Sequence, residues 1–375
     1  MDTFSALPAP IRLFIIKYLP DFNSLEALLH SSPVMASIFD ECAAEVIEEI
    51  ASHYFSPHVN HLLAQAGSIF APNKTWNSVT DFHSCHAGSN SSNILPEGLP
   101  IPASRHLVIS ASNIDYLCRS FLRAYLDRIH ALKPTHFRRP GTRMDPYAVT
   151  KYNPALAGPT YSISDTGPPS WVETQRVLRA LWHLLIYYEL RSIMPSLQSA
   201  PGDETKLQDL DYQDFWMHLP VWETDEMECV NKYMLEIADP NSLQLGTSAQ
   251  LSRLPSAPPG SELESSWPTM TPQDDNIGSK WGQSQEATTR KSPASNMFPA
   301  LCLRGPNIPS QILGGATWES FRRLGFGIWD LKRMCRLEMM SAPFDPQRDS
   351  TAPSLRETYT MDNLKFTWMS ILPNK

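Results

Sequence analysis

The stretch "LPAPIRLFIIKYLPDFNSL", Leu7–Leu25, decides how the chain begins. Its apolar residues recur at i, i+3, i+4, i+7 and i+8, the spacing of one helical face: Ile11, Phe14, Ile15, Tyr18 and Leu19. Leu13 and Ile16 lie off this face, so the predicted helix is apolar on two sides. Pro8 and Pro10 suit its start, and Pro20 suits its end.

Two further helices are predicted directly after it. Asn23 can cap the second helix, with Glu26 three residues later as its reciprocal partner. Ser32 can cap the third, with Pro33 at the first helical position. One stripe of the third helix is apolar: Phe39, Cys42, Ala43, Val46, Ile50 and Tyr54.

This N-terminal pattern resembles an F-box, the helical module that connects substrate receptors to the Skp-type linker subunit of SCF ubiquitin ligases. The sequence departs from the F-box pattern in two places. Pro10 stands where an acidic residue is usual, and "HSSPVMASIF" replaces the valine, cysteine and tryptophan signature of the third helix, with Phe39 as the nearest substitute for the tryptophan. The resemblance implies a linker-binding surface at Leu7, Pro8, Ile11, Leu13, Ile16, Leu19, Pro20 and Leu25. We expect the stripe from Ile11 through Phe14 to Leu19 to pack on the next two helices, and Leu7 and Ile16 to anchor the linker.

The rest of the chain also reads as mainly α, an irregular helical body with long loops. Helices are predicted to open at Ser112 with Asp115 and at Ser170 with Glu173, and another covers "TDEMECVNKYMLEI". A later pair is predicted to hinge at Gly325 and Gly327, with Asp330 capping the second member. Gly67–Ser104 and Pro134–Pro169 look like loops, and we find no convincing run of alternating strand residues.

The predicted domain organisation has four parts. An F-box-like module covers 1–55, the helical body covers 56–240 and resumes over 300–375, and a Ser/Pro-rich insertion covers 241–299. The insertion has too few aliphatic residues to offset its chain entropy, so we expect most of it to be disordered.

Three blocks of the body are similar to a large protein family found in filamentous fungi, whose members often carry an F-box-like N-terminus. The blocks are "ETQRVLRALWHLLIYYEL", "LPVWETDEMECVNKYML" and "LGFGIWDLKRM". The resemblance covers the predicted ordered parts of most of the chain and carries no catalytic residues with it.

Composition narrows the function classes. A net charge of −8 argues against a nucleic-acid partner, which needs a basic face. The apolar run Leu181–Leu190 is too short to span a bilayer, and no signal peptide is visible, so no membrane partner is predicted. Six widely spaced cysteines without a CxxC motif are typical of reduced thiols in an intracellular, cytoplasmic or nuclear protein.

Residues with catalytic or metal-binding chemistry are scattered. The histidine-rich segment His53–His86 could supply zinc ligands, notably His58, His61 and Cys85, but its spacings fit no zinc module, so we expect no bound metal or other cofactor. "HFRRPGTRM" forms a basic patch that fits a solvated loop better than an anion site. Four acids, Glu189, Asp214, Glu223 and Asp225, are not brought together by any motif, and GxSxG, HExxH and glycine-rich phosphate loops are absent from the sequence.

These observations favour a non-enzymatic adaptor that holds a Skp-type linker through its N-terminal module and an unknown protein target through its helical body. One alternative is a structural or interaction protein whose F-box-like helices pack only on its own body. Another is an enzyme whose site no motif reveals.

Overall fold

The computed structural model describes residues 2–86 apart from 73, 75 and 77, then 95–137 apart from 97, 157–193, 215–216, 219–238, 251–257, 267 and 318–337. The fold is mainly helical, as predicted. The described residues belong to two compact units. The first unit comprises Met1–Phe121, Val177–Leu219 and Val230–Thr271, and the second comprises Leu122–Arg176, Pro220–Cys229 and Pro272–Lys375.

The chain begins with a 3-10 turn, Thr3–Ala6, and three helices: α1 Ala9–Lys17, α2 Phe22–Ser31 and α3 Pro33–Tyr54. The predicted Ser32–Pro33 start of α3 is confirmed, since the Ser32 hydroxyl accepts from the Met35 amide at 3.1 Å. The predicted Asn23 cap of α2 is wrong. Asp21 caps this helix by accepting from the Ser24 amide at 2.7 Å.

α1 and α2 both pack on α3, and the core of this bundle is apolar. Most of the predicted α3 stripe is buried, and the kink in α3 lies at Cys42, which is half-buried. The side chains completely removed from solvent include Ile16, Phe22, Leu25, Met35, Phe39, Val46, Ile47 and Ile50.

Five further helices are described before the last segment: α4 Pro57–Phe70, α5 Val79–His86, α6 Ile101–His130, α7 Trp171–Ile193 and α8 Val221–Ala238. α6 corrects the prediction of a start at Ser112, because it begins eleven residues earlier at Ile101 and leaves Ser112 and Asp115 in its interior. The predicted loop Gly67–Ser104 is also partly wrong, since it contains the end of α4, all of α5 and the first residues of α6.

The second unit contains an antiparallel pair of short strands, β1 Thr135–Phe137 and β2 Ala157–Thr160, within a segment predicted to be loop. The predicted start of α7 is confirmed by a complete capping box. The Ser170 amide donates to the Glu173 carboxylate at 2.9 Å, and the Glu173 amide donates to the Ser170 hydroxyl at 3.3 Å.

The predicted glycine hinge is also confirmed. It separates α9 Trp318–Arg322 from α10 Leu331–Arg336, and Gly325 has a φ of 74°. Asp330 caps α10 by accepting from the Arg333 amide at 2.7 Å. The Arg333 guanidinium then binds the Glu173 carboxylate at 2.9 Å, so the capping residue of α7 also holds the start of α10 within this unit.

The predicted disordered insertion is described only at 251–257 and 267, and the rest of 241–299 lies outside the described residues. Within it, 251–257 contact α6. Leu254 is buried, and the Asn113 side chain donates to the Pro255 carbonyl at 3.0 Å and accepts from the Ala257 amide at 2.7 Å.

Candidate partner-binding surface

The N-terminal helix is the candidate functional element, because it carries the large apolar side chains that the module exposes to solvent. Pro8 stands at its N-cap, Pro10 lies in its first turn, and Lys17 ends it. Ile16 is its one fully buried residue and points towards α3. The face opposite Ile16 therefore meets solvent.

That exposed face consists of Ile11, Phe14 and Tyr18, which we call the α1 patch. The three side chains are 49%, 58% and 66% exposed. The Phe14 and Tyr18 rings lie against each other with centroids 4.3 Å apart. Single exposed apolar residues are common on folded proteins, whereas these three large ones lie together on one side of the helix.

The predicted assignment of faces in α1 is therefore wrong. The stripe expected to pack internally contains the exposed Ile11 and Phe14, whereas Ile16, expected to anchor a partner, belongs to the core. The helix is apolar on both sides, so its periodicity cannot indicate which side α3 covers.

The other residues predicted to contact the linker differ in how far their side chains are exposed to solvent. Leu25 is completely buried, as is Ile16, so neither can touch a partner in this conformation. Leu7, Leu13 and Leu19 are half-buried, and Pro8 and Pro20 are exposed. Of the eight predicted contacts, Ile11 is thus the large aliphatic residue that stays exposed.

A polar network fastens the module to α6 within the first unit. Asp21, besides capping α2, accepts from the Arg119 guanidinium at 2.9 Å. The same guanidinium meets Asp115 at 2.9 Å, and the Tyr54 hydroxyl at the end of α3 donates to Asp115. Both ends of the α2–α3 pair are therefore held by one turn of α6.

Burial controls the electrostatics of this network. It raises the pKa of Asp115 to about 6, although the neighbouring Arg119 charge pulls that pKa down. Burial also raises the pKa of Tyr54, and the Asp115 charge adds to that rise. Sequence reasoning missed this role because it treated Asp115 as a capping partner.

The candidate zinc ligands His58 and His61 have different neighbours in the structure. His61 shares a hydrogen bond with Gln65 at 2.9 Å. His58 instead faces His183 of α7, with ring centroids 6.0 Å apart and a ring nitrogen of each within 4.8 Å of the other. His183 packs edge-on against Trp216, whose indole N–H donates to the His183 carbonyl at 3.2 Å. No motif in the sequence predicts the contact between His183 and His58.

The structure also shows the surroundings of two of the candidate acids, Asp225 and Glu189. Asp225 forms a buried ion pair with Arg322 at 2.7 Å in the second unit. Glu189 in the first unit has a raised pKa caused by burial. Asp214 lies outside the described residues, as does 138–144 of the basic patch.

Comparison with known proteins identifies no family for this chain. No family model, no curated protein and no solved structure matches the chain. Among the described residues, no helix is both long enough and apolar enough to cross a membrane.

Proposed function

We propose that this protein is a non-enzymatic adaptor whose F-box-like N-terminal module docks to the Skp-type linker of an SCF ubiquitin ligase. The observation that carries the proposal is the α1 patch. Burying a large apolar side chain is worth about 1.5–3 kcal/mol relative to leaving it in water, so three half-exposed ones leave substantial free energy available for a partner.

The linker contact needs more than the α1 patch alone. A stable protein interface covers roughly 1,200–2,000 Å² in total, and a few central anchors supply most of its affinity. Ile11 and Phe14 are the proposed anchors, and the exposed Pro8 and Pro20 with the half-buried Leu7, Leu13 and Leu19 supply the surrounding contact. Specificity for a protein target lies in the helical body, and ubiquitin transfer belongs to other subunits.

A second candidate function is a structural or interaction protein whose F-box-like helices serve only its own fold. The burial of Ile16 and Leu25 and the contact between Asp21 and Arg119 favour it, because they show the module already packed on its own chain. The two candidates differ in what the α1 patch does.

The test is co-purification of the full-length tagged protein with a co-expressed Skp-type linker. Ile11→Ser combined with Phe14→Ser should abolish capture and leave the helical circular dichroism intact, because both side chains already contact water. The matched control is Ile101→Ser with Ile109→Ser, which removes two comparably exposed apolar side chains (44% and 49%) from α6.

Capture that survives the α1 double substitution would refute the docking surface. Wild-type protein that never retains the linker would refute the adaptor and favour the second candidate. Ile16→Asp serves as the reference for misfolding, since it places a carboxylate in the core of the bundle.

A further inference from the structure

The N-terminal module carries most of the net charge of the protein. Residues 1–55 contain eight acidic and two basic side chains, a net charge of −6 against −8 for the whole chain. The acidic side chains are not spread evenly over the module, since five of the eight lie between Asp40 and Glu49 on α3.

Two of these five acids contact residues outside the module. Asp40 forms a two-pronged ion pair with Arg105, with distances of 2.8 and 2.7 Å, and Glu48 accepts from the Leu95 amide at 3.2 Å. The other three, Glu41, Glu45 and Glu49, are exposed and spaced four residues apart. At this spacing Glu45 and Glu49 share one side of the helix, and Glu41 lies just before the kink at Cys42; we call the three the α3 acidic row.

The α3 acidic row borders the α1 patch. Lys17 at the end of α1 forms an ion pair with Glu45, and the charges of Glu45 and Glu49 both raise the pKa of Lys17. Phe14 lies three residues before Lys17 and therefore on the same side of α1. An exposed aromatic surface thus continues directly into an exposed acidic one.

One lysine does not neutralise three carboxylates. Like charges four residues apart on a helix repel each other by a few tenths of a kcal/mol, so the row is kept at a small cost in stability. A partner that brings basic side chains removes this repulsion and is steered towards the site by the field of the module.

We propose that the α1 patch and the α3 acidic row together bind a basic amphipathic helix of another protein, whose apolar side covers Ile11, Phe14 and Tyr18 and whose Lys or Arg residues meet Glu41, Glu45 and Glu49. A second copy of this chain does not fit, because its own module carries the same negative charge. Anionic membranes and nucleic acids are repelled for the same reason. The inference holds whether or not the partner is the Skp-type linker.

The test is selection of a displayed library of random amphipathic helices on the full-length protein, with counter-selection on the Phe14→Ser/Tyr18→Ser variant. We expect the enriched peptides to pair an apolar stripe with flanking Lys or Arg residues. Enrichment of acidic or neutral helices overturns the inference, and so does the absence of any peptide that distinguishes wild type from the variant.

The affinity of the most enriched peptide for wild type and for a charge variant then tests how much the α3 acidic row contributes to binding. Glu41→Gln with Glu49→Gln should weaken binding at least about fivefold at low salt, the loss expected for two partly exposed charge pairs. The control, Asp81→Asn with Asp127→Asn, removes two exposed carboxylates from α5 and α6 and should leave the affinity unchanged. Equal affinities for wild type and the glutamine variant overturn the role of the row.

The two proposals fail separately. Capture of a Skp-type linker by a protein that selects no basic helix overturns this inference and leaves the adaptor standing. Selection of basic helices by a protein that never captures the linker does the reverse.

Discussion

Ionisation of Asp115 should lower the free energy of unfolding as pH rises from about 4 to about 6, and Asp115→Asn should remove this contribution. Asp115 is almost completely buried in α6, where it faces Arg119, the Tyr54 hydroxyl, the Cys118 thiol and, through Arg119, the Asp21 carboxylate. The asparagine has nearly the same shape and still accepts from Tyr54, but it cannot ionise.

The magnitude follows from the pKa of Asp115, which burial raises from 3.8 to about 6. The folded state therefore binds this proton more tightly than the unfolded state. The resulting stabilisation is complete below the unfolded pKa and is lost as pH rises through the folded value. A shift of about two units corresponds to about 3 kcal/mol, so the free energy of unfolding loses that amount across this window.

The assay is urea unfolding followed by circular dichroism, performed across this pH window on wild type and Asp115→Asn. The difference in unfolding free energy between the two should change by about 3 kcal/mol, because titrating groups that do not interact with Asp115 cancel in the comparison. Asp127→Asn makes the same substitution on the exposed side of α6 and should leave the profile unchanged. Parallel profiles for wild type and Asp115→Asn would refute the reasoning.

Two other predictions concern backbone and metal chemistry. Gly325→Ala should destabilise the second unit by about 1–3 kcal/mol in thermal or urea unfolding, since an added Cβ would meet the Trp329 ring at 3.0 Å in a left-handed backbone conformation. Gly167→Ala, which has the same sign of φ and nothing within 4 Å of its Cβ, should cost less, and an equal loss would discount the Trp329 contact. The expectation of no stoichiometric zinc stays a prediction, and elemental analysis should pair purified wild type with a His58→Ala/His183→Ala variant. One zinc per chain that this variant loses would contradict the expectation.

Local sequence signals predicted several helix ends correctly. Ser32 with Pro33, Ser170 with Glu173, and Asp330 each begin a helix where the sequence places them. A helix cap joins groups within three residues of each other, so a short segment of sequence contains everything needed to predict it. The mainly α class follows from the same local periodicity.

The contacts that the sequence did not predict join residues that lie far apart along the chain. Tyr54 and Asp115 are 61 residues apart, and His58 and His183 are 125 residues apart. No spacing rule connects such positions. The order of 251–257 likewise depends on Asn113 of α6, which composition alone cannot reveal.

The sequence by itself determined that the chain opens with a short helix carrying more apolar surface than one interface needs. The tertiary structure decided which side of it is core, because α3 packs over Ile16 and leaves Phe14 and Tyr18 in water. Both sides of α1 are apolar enough to be buried. The choice between them depends on the shape and packing of α2 and α3, which a 3.6-residue period does not encode.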